Sequence, residues 1–152
     1  MSQSLAKVIV HIVYSTKNRQ RWLQDKAIRE ELYAYNAAVL SKGMDCQVIL
    51  INGMEDHIHI LCLLSRKFSI MDTIKKSKTE TSKWLKKRKQ DLKDFRWQSG
   101  YGIFSVSESK AKQVKQYISN QEEHHKRISF QDEFRELCRR HGVEIDERYV
   151  WD

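Results

Sequence analysis

Proline is absent from this chain of 152 residues, and glycine occurs only five times. Nothing in it resembles a flexible linker, a repeat or a low-complexity segment. The three cysteines, Cys46, Cys62 and Cys138, are odd in number, widely spaced and form no CxxC pair. They argue against a disulfide framework or a zinc knuckle and read as reduced packing residues of a cytoplasmic protein. No apolar run approaches the roughly 18 residues that span a bilayer, so no membrane segment is expected. Met1–Val10 also lacks a basic region followed by a long apolar stretch, and no signal peptide is expected. Acid is short as well: 20 Asp and Glu face 28 Lys and Arg, leaving a net charge of +8. Such an excess favours a polyanionic partner, usually nucleic acid, the plain alternative being a solvated basic surface. The length fits a single domain, residues 1–152, large enough to bury a proper core.

What is present has a readable order. Ala6–Thr16, "AKVIVHIVYST", alternates like a strand but is apolar on both faces, as a central strand is. A polar basic loop, Lys17–Trp22, follows. Asp25 is a candidate cap for a helix to Ser41, with Ile28, Leu32, Tyr35, Val39 and Leu40 at helical spacing and Gly43 as its stop. Cys46–Gly53 and His57–Leu64 read as two strands of a hairpin around the turn "MED". Ser69 caps a helix predicted to reach Lys89, with the stripe Ile70, Met71, Ile74, Ser77, Thr81, Trp84 and Leu85. Arg96–Val106 reads as a strand with glycine kinks. Ser105 and Glu108 look like a capping box for a helix continuing to Lys126, and Ser129 opens a short amphipathic helix ending at Gly142. The expected class is α+β: a ferredoxin-like (RRM-like) antiparallel sheet in the order β-α-β-β-α-β, plus two C-terminal helices.

The third strand carries an oddity, "HIHILCLL". Strand side chains alternate, so His57 and His59 point to one face about 7 Å apart while Ile58 and Ile60 point to the other. Two imidazoles at that spacing can converge on one cation; a pair of satisfied core histidines is the other reading. Asp56 either orients one ring or belongs only to the turn. A metal site needs a third ligand and an open position for substrate. On the late helix, Tyr117 and Gln121 fall one turn apart, about 40° from each other around the axis. They flank the apolar stripe Ala111, Val114 and Ile118, so a phenol and an amide stand side by side at the edge of a docked face. A packing tyrosine is the bland alternative. His125, one turn further, competes with Gln121 for the ligand role unless it is simply a surface residue at a helix end.

Together "VYSTKNR", "GMEDHIHIL", "WQSGYGIFSVS" and "YISNQEEHH", with the closing "FRELCRRHGVEIDERYVWD", resemble the single-tyrosine HUH transposases of bacterial insertion sequences. The nearest group is the IS two-hundred/six-hundred-and-five type with its repeat-associated tyrosine transposases, and the likeness runs along nearly the whole chain. It implies that His57 and His59 hold a divalent cation, Mg²⁺ or Mn²⁺, that Gln121 joins the metal shell, and that Tyr117 is the nucleophile. It implies cutting and rejoining of single-stranded DNA hairpins through a 5′-phosphotyrosine. It further implies a homodimer in which the tyrosine helix of one subunit completes the histidine site of the other.

Positive charge is concentrated in Lys75–Lys89, with eight basic residues and one acid. Lys75, Lys76, Lys83, Lys86 and Lys87 are candidate phosphate contacts, as are Lys17, Arg19 and Arg21 in the first loop. Trp97, Tyr101 and Phe104 are candidate base-stacking residues, packing being the commoner fate of strand aromatics. Two rivals stand beside the transposase reading. A non-catalytic nucleic-acid-binding module would share the element order, and a replication-type HUH nickase would share the chemistry.

Overall fold

The computed structural model describes residues 1–152. β1 (Ile9–Ser15), α1 (Lys26–Ala38), β2 (Gln47–Gly53), β3 (His57–Leu63), α2 (Ile70–Arg88) and β4 (Gly102–Val106) follow in the anticipated order. They form one four-stranded sheet, β2-β3-β1-β4, in which all neighbours are antiparallel. β1 and β3 lie at the centre, which is why both are covered on two sides; every residue of β1 is buried. At the hairpin, a side chain on Gly53 would stand 2.2 Å from the His57 carbonyl oxygen, so only glycine lets the strands close there.

Local signals set several helix ends. Asp25 Oδ1 accepts hydrogen bonds from the Ala27 and Ile28 amides at the start of α1. Ser69 Oγ accepts from Asp72 N at the start of α2, and Ser129 Oγ from Asp132 N at the start of α5 (Phe130–Arg140). Gly142, at φ 65°, turns the chain away after α5 in the left-handed conformation.

Three expectations are corrected. The Ser105–Glu108 capping box does not form: Ser105 belongs to β4, and the chain turns after Ser107. The strand expected from Arg96 is confined to Gly102–Val106, with Trp97 making one isolated bridge to Thr16. The helix expected to run to Lys126 breaks at Asn120 (φ −96°, ψ 24°), giving α3 (Ala111–Ser119) and α4 (Gln121–His124). The break coincides with a contact from the edge strand on the same face. Asn52 Nδ2, on β2, donates to the carbonyl oxygens of Ile118 and Ser119, at 2.9 and 3.4 Å, and so competes with the helical bonds that would have continued.

The two faces of the sheet are built differently. Val10, Ile12 and Tyr14 of β1 and Ile58, Ile60 and Cys62 of β3 point towards α1 and α2 in a core of 18 buried residues. Full burial of each aliphatic side chain there is worth about 1.5–3 kcal/mol. A polar triangle is sealed within it: Tyr14 Oη and Ser77 Oγ lie 2.7 Å apart, and Ser77 Oγ donates to Asn36 Oδ1 at 2.8 Å. Burial pushes the Tyr14 phenol up to about 12. The opposite face, covered by α3, α4 and α5, has a buried apolar cluster of only Ile9, Leu61 and Ile118. Beside that cluster β1 and β3 place His11, His57 and His59, with Val13 and Ser15 between them.

Candidate active site

β1 and β3 present His11, His57 and His59 on this second face because all three share strand parity. Antiparallel register sets Ser15 opposite His57 and Val13 opposite His59. His11 is two residues before Val13, so its ring meets that of His59, with His11 Nε2 2.8 Å from His59 Nδ1 and the rings stacked at 5.0 Å. Burial, with His59 beside it, drives the His11 imidazole down to about 3. His59 is fully buried, and burial lowers its pKa as well.

From the other side come α3, α4 and α5. Tyr117 reaches in from the last turn of α3, Gln121 and His124 from α4, His125 from the turn after it, and Glu133 from the first turns of α5. Gln121 and Glu133 are buried at 0% and 2% exposure. Gln121 Oε1 lies 3.1 Å from His57 Nε2, and its amide nitrogen donates to Glu133 Oε2 at 3.1 Å. The Tyr117 hydroxyl donates to Glu133 Oε2, and His124 Nε2 lies 3.2 Å from the phenolic oxygen. Thus the four residues singled out from the sequence, His57, His59, Tyr117 and Gln121, do come together. The helix break moves Tyr117 and Gln121 off one continuous helix without separating them.

Glu133 is the unforeseen centre. Its Oε1 lies 2.9 Å from His59 Nε2, 3.2 Å from His125 Nε2 and 3.6 Å from His57 Nε2. Burial alone would raise this carboxyl, but the imidazoles of His59, His125 and His57 outweigh it and hold the group well below the usual carboxylate range. Tyr117 is pushed the other way: burial, then the Glu133 charge, raises the phenol above its ordinary value. His125 rises despite partial burial because Glu133 accepts its hydrogen bond. The helical stripe did carry one signal. Glu133 lies three residues after Phe130 on the buried line of α5, a charge among apolar neighbours.

The donor set fits a divalent cation. The ligating atoms of His57, His59, His125 and Glu133 all lie within 4.8 Å of one another. Ligands about 2.1 Å from an octahedral ion are ~3 Å apart along an edge and ~4.2 Å across, so a contraction of a few tenths of an ångström per group suffices. Hydrogen bonding says the same. His57 Nδ1 meets Asp56 Oδ1 at 2.7 Å and its Nε2 meets Gln121 Oε1; His125 Nδ1 meets the Ile128 carbonyl at 2.9 Å and its Nε2 meets Glu133. A neutral imidazole donates once, yet each of these rings faces two acceptors. A cation among the inner nitrogens and oxygens resolves that surplus, with Asp56 and the Ile128 carbonyl orienting the rings from outside.

The basic candidates divide. Thr16 N donates to the Asp56 carbonyl at 2.8 Å, so the first loop sits beside the histidines. Lys17 lines a cleft of about 350 Å³ shared with Phe130, whose ring stacks on His57 at 4.4 Å. Arg19 lies over Trp151, and Arg21 pairs with Glu55 at 2.7 Å. Lys75, Lys76, Lys83, Lys86 and Lys87 are exposed on α2, which packs on the opposite face of the sheet. Trp97 and Phe104 are buried packing residues, while Tyr101 is exposed.

Comparison with known proteins agrees with this architecture. No curated protein matches the sequence. Among solved structures, the fold is similar to that of a candidate transposase from Deinococcus radiodurans R1, with TM-score 0.59, 22% identity, and coverage of 78% of this chain and 93% of that one. It is also similar to a REP-associated tyrosine transposase bound to a REP hairpin, with TM-score 0.54, 11% identity, and coverage of 78% and 67%. At these identities the likeness carries the fold alone. The family model described as "Transposase IS200 like" matches residues 4–121. That match spans most of the chain and includes the four strands, His11, His57, His59, Tyr117 and Gln121, while His124, His125 and Glu133 follow it; the chain belongs to the IS200-like transposase family.

Proposed function

We propose that this transposase cuts and rejoins single-stranded DNA at hairpin-bearing element ends, with Tyr117 as the nucleophile. One observation carries the reading: the Tyr117 phenol and the His59 imidazole hold opposite oxygens of the same buried carboxylate. In the reaction the Tyr117 oxygen attacks phosphorus and the bond to the 3′-oxygen breaks, leaving a 5′-phosphotyrosine and a free 3′-hydroxyl. The phenol loses a proton as the 3′-oxygen gains one. Attack by another 3′-hydroxyl reverses the step and joins strands without ATP, because the phosphoester link is conserved.

A phenol protonated at neutral pH is a weak nucleophile and needs help. Mg²⁺ or Mn²⁺ bound by His57 and His59, with Gln121 or the Glu133 and His125 donors completing the shell, would neutralise the scissile phosphate and orient it for in-line attack. The partly exposed Tyr117 and His124 side chains form the accessible edge of the cluster. Lys17 and Arg19 flank the same end of the sheet and are suited to phosphates near the cut. The α2 lysines, on the far face, are suited to more distant stretches of the hairpin, with affinity that falls steeply with salt.

The test is a covalent adduct. Protein, Mn²⁺ and a single-stranded hairpin oligonucleotide should give a species that migrates with the protein in denaturing gels. Tyr117→Phe should abolish it while DNA binding stays within about twofold, the latter because removing one uncharged hydroxyl leaves the electrostatic term of the lysines and arginines intact. An adduct that survives in Tyr117→Phe would reject the nucleophile. The proposal extends to a homodimer in the cytoplasm; Tyr117 meets the histidine cluster of its own chain here, so shared sites would require α3 to exchange with the partner's α3 and remake the same contacts there. Mixed His57→Ala and Tyr117→Phe chains would then recover activity once heterodimers form, whereas confirmed heterodimers without activity would assign each site to one chain. No helix is long and apolar enough to cross a membrane.

A further inference from the structure

Resting on the function proposed above, we infer that Glu133 couples cation to nucleophile, its Oε1 serving as the anionic metal ligand and its Oε2 positioning the Tyr117 phenol.

The cost of placing Glu133 shows that its position is not incidental. Burying a carboxylate costs several kcal/mol unless it is fully paired, and a helix face has solvent-exposed positions where a glutamate costs nothing. α5 nevertheless directs this one inward to 2% exposure. Each oxygen then has its own set of partners. Oε1 faces the inner nitrogens of His59, His125 and His57; Oε2 faces the Tyr117 hydroxyl, the Gln121 amide and His124. Gln121 also links the sets, through its Oε1 to His57 Nε2, but it carries no charge.

The chemistry needs a charged group. Three imidazoles and an amide oxygen carry no negative charge, and Mg²⁺ and Mn²⁺ are hard cations that favour oxygen donors. Asp56 does not meet the need, since it is engaged by the outward nitrogen of His57. Glu133 is the remaining carboxylate, and its Oε1 stands at octahedral edge distance from two imidazole nitrogens. Held by a cation at Oε1, the Glu133 carboxylate would keep one plane, and that plane would set where Oε2 holds the phenol. Glu133 is thus a ligand on one side and a positioning residue on the other.

The isosteric Glu133→Gln variant removes the charge and keeps the shape. Mn²⁺ titration of the full-length protein without DNA, read by electron paramagnetic resonance, should show binding weakened at least about tenfold. At saturating Mn²⁺ its rate of hairpin adduct formation should still fall about tenfold or more, the scale expected when a reacting group is misaligned. Glu133→Asp should regain part of the Mn²⁺ affinity but not the rate, because the shorter carboxylate cannot reach both partners. Tyr117→Phe should bind Mn²⁺ like the wild type. Wild-type Mn²⁺ affinity in Glu133→Gln would overturn the ligand role; a wild-type rate at saturating metal would overturn the positioning role; a faster rate would show that Glu133 obstructs the site. Thermal melts of each variant separate these outcomes from misfolding, and Glu133→Asp keeps the test open if the glutamine variant does not fold. If wild-type protein forms no adduct at all, the proposed activity fails, whereas the metal titration still decides the ligand role.

Discussion

The two faces of the sheet divide one pair of strands into two kinds of chemistry. On β1 and β3 the even-numbered residues build an 18-residue apolar core beneath α1 and α2. The odd-numbered ones carry three histidines beneath α3, α4 and α5. Yet both central strands are buried almost throughout, so burial alone does not distinguish the faces. What distinguishes them is how buried polarity is settled. The core face tolerates one closed triangle, Tyr14–Ser77–Asn36, in which donors and acceptors satisfy one another. The histidine face gathers a surplus of acceptors around Glu133, which is stable when paired with a cation or with protons. The first arrangement fixes structure; the second leaves room for a ligand.

Adjacent residues of β3 make the comparison sharpest. Ile58→Ala empties a fully buried site on the core face and should cost about 3–4 kcal/mol in chemical denaturation. Its adduct yield, measured where the variant is still folded, should stay near wild type. His57→Ala, one residue earlier, should abolish both the adduct and the rise in melting temperature produced by Mn²⁺, while costing less stability than Ile58→Ala. Equal stability losses with both functions retained in His57→Ala would erase the distinction between the faces.

Much of this division was legible beforehand. Period-two alternation set His57 and His59 together and apart from Ile58 and Ile60. Asp25, Ser69 and Ser129 were each readable as caps because a short polar side chain before an amphipathic run acts within four residues. The pattern also pointed to Tyr117 and Gln121, and the fold unites them with the histidines. Features that depend on distant parts of the chain were not readable. Asn52 breaks the α3–α4 helix from 66 residues away. His11 joins the cluster through strand register, and Glu133 through the docking of a helix 74 residues beyond His59. That α2 and its lysines lie across the sheet from the histidines was derivable in principle. Right-handed crossovers put both connecting helices on one face, leaving the other to the C-terminal helices.

The closed triangle predicts a pH response of its own. Tyr14 is raised to about 12 when folded, against an unperturbed value of about 10. Its contribution to stability is therefore complete below pH 10 and is lost as pH rises from 10 to 12, because the unfolded chain ionises first. The two-unit gap corresponds to ~3 kcal/mol. Stability measured across pH 9–12 should consequently fall less steeply in Tyr14→Phe than in wild type. Parallel profiles would mean that the phenol ionises as readily inside the fold as outside it.

The smallest test compares two matched caps. Ser69 and Ser129 make the same hydrogen bond, 3.0 Å to Asp72 N and 3.2 Å to Asp132 N. Each should cost about 1 kcal/mol when replaced by alanine. The helices they start do different work. α2 rests on the apolar core, whose contacts extend far beyond the first turn, so Ser69→Ala should lower stability and leave Mn²⁺ affinity unchanged. Glu133 sits in the opening turns of α5, four residues from its cap. Fraying there moves a carboxylate that faces six partners, and Ser129→Ala should weaken Mn²⁺ binding by up to about fivefold, the factor that ~1 kcal/mol represents. If both variants kept wild-type metal affinity, the position of Glu133 would be held by its hydrogen-bonding partners rather than by its helix, and α5 would follow the site instead of building it.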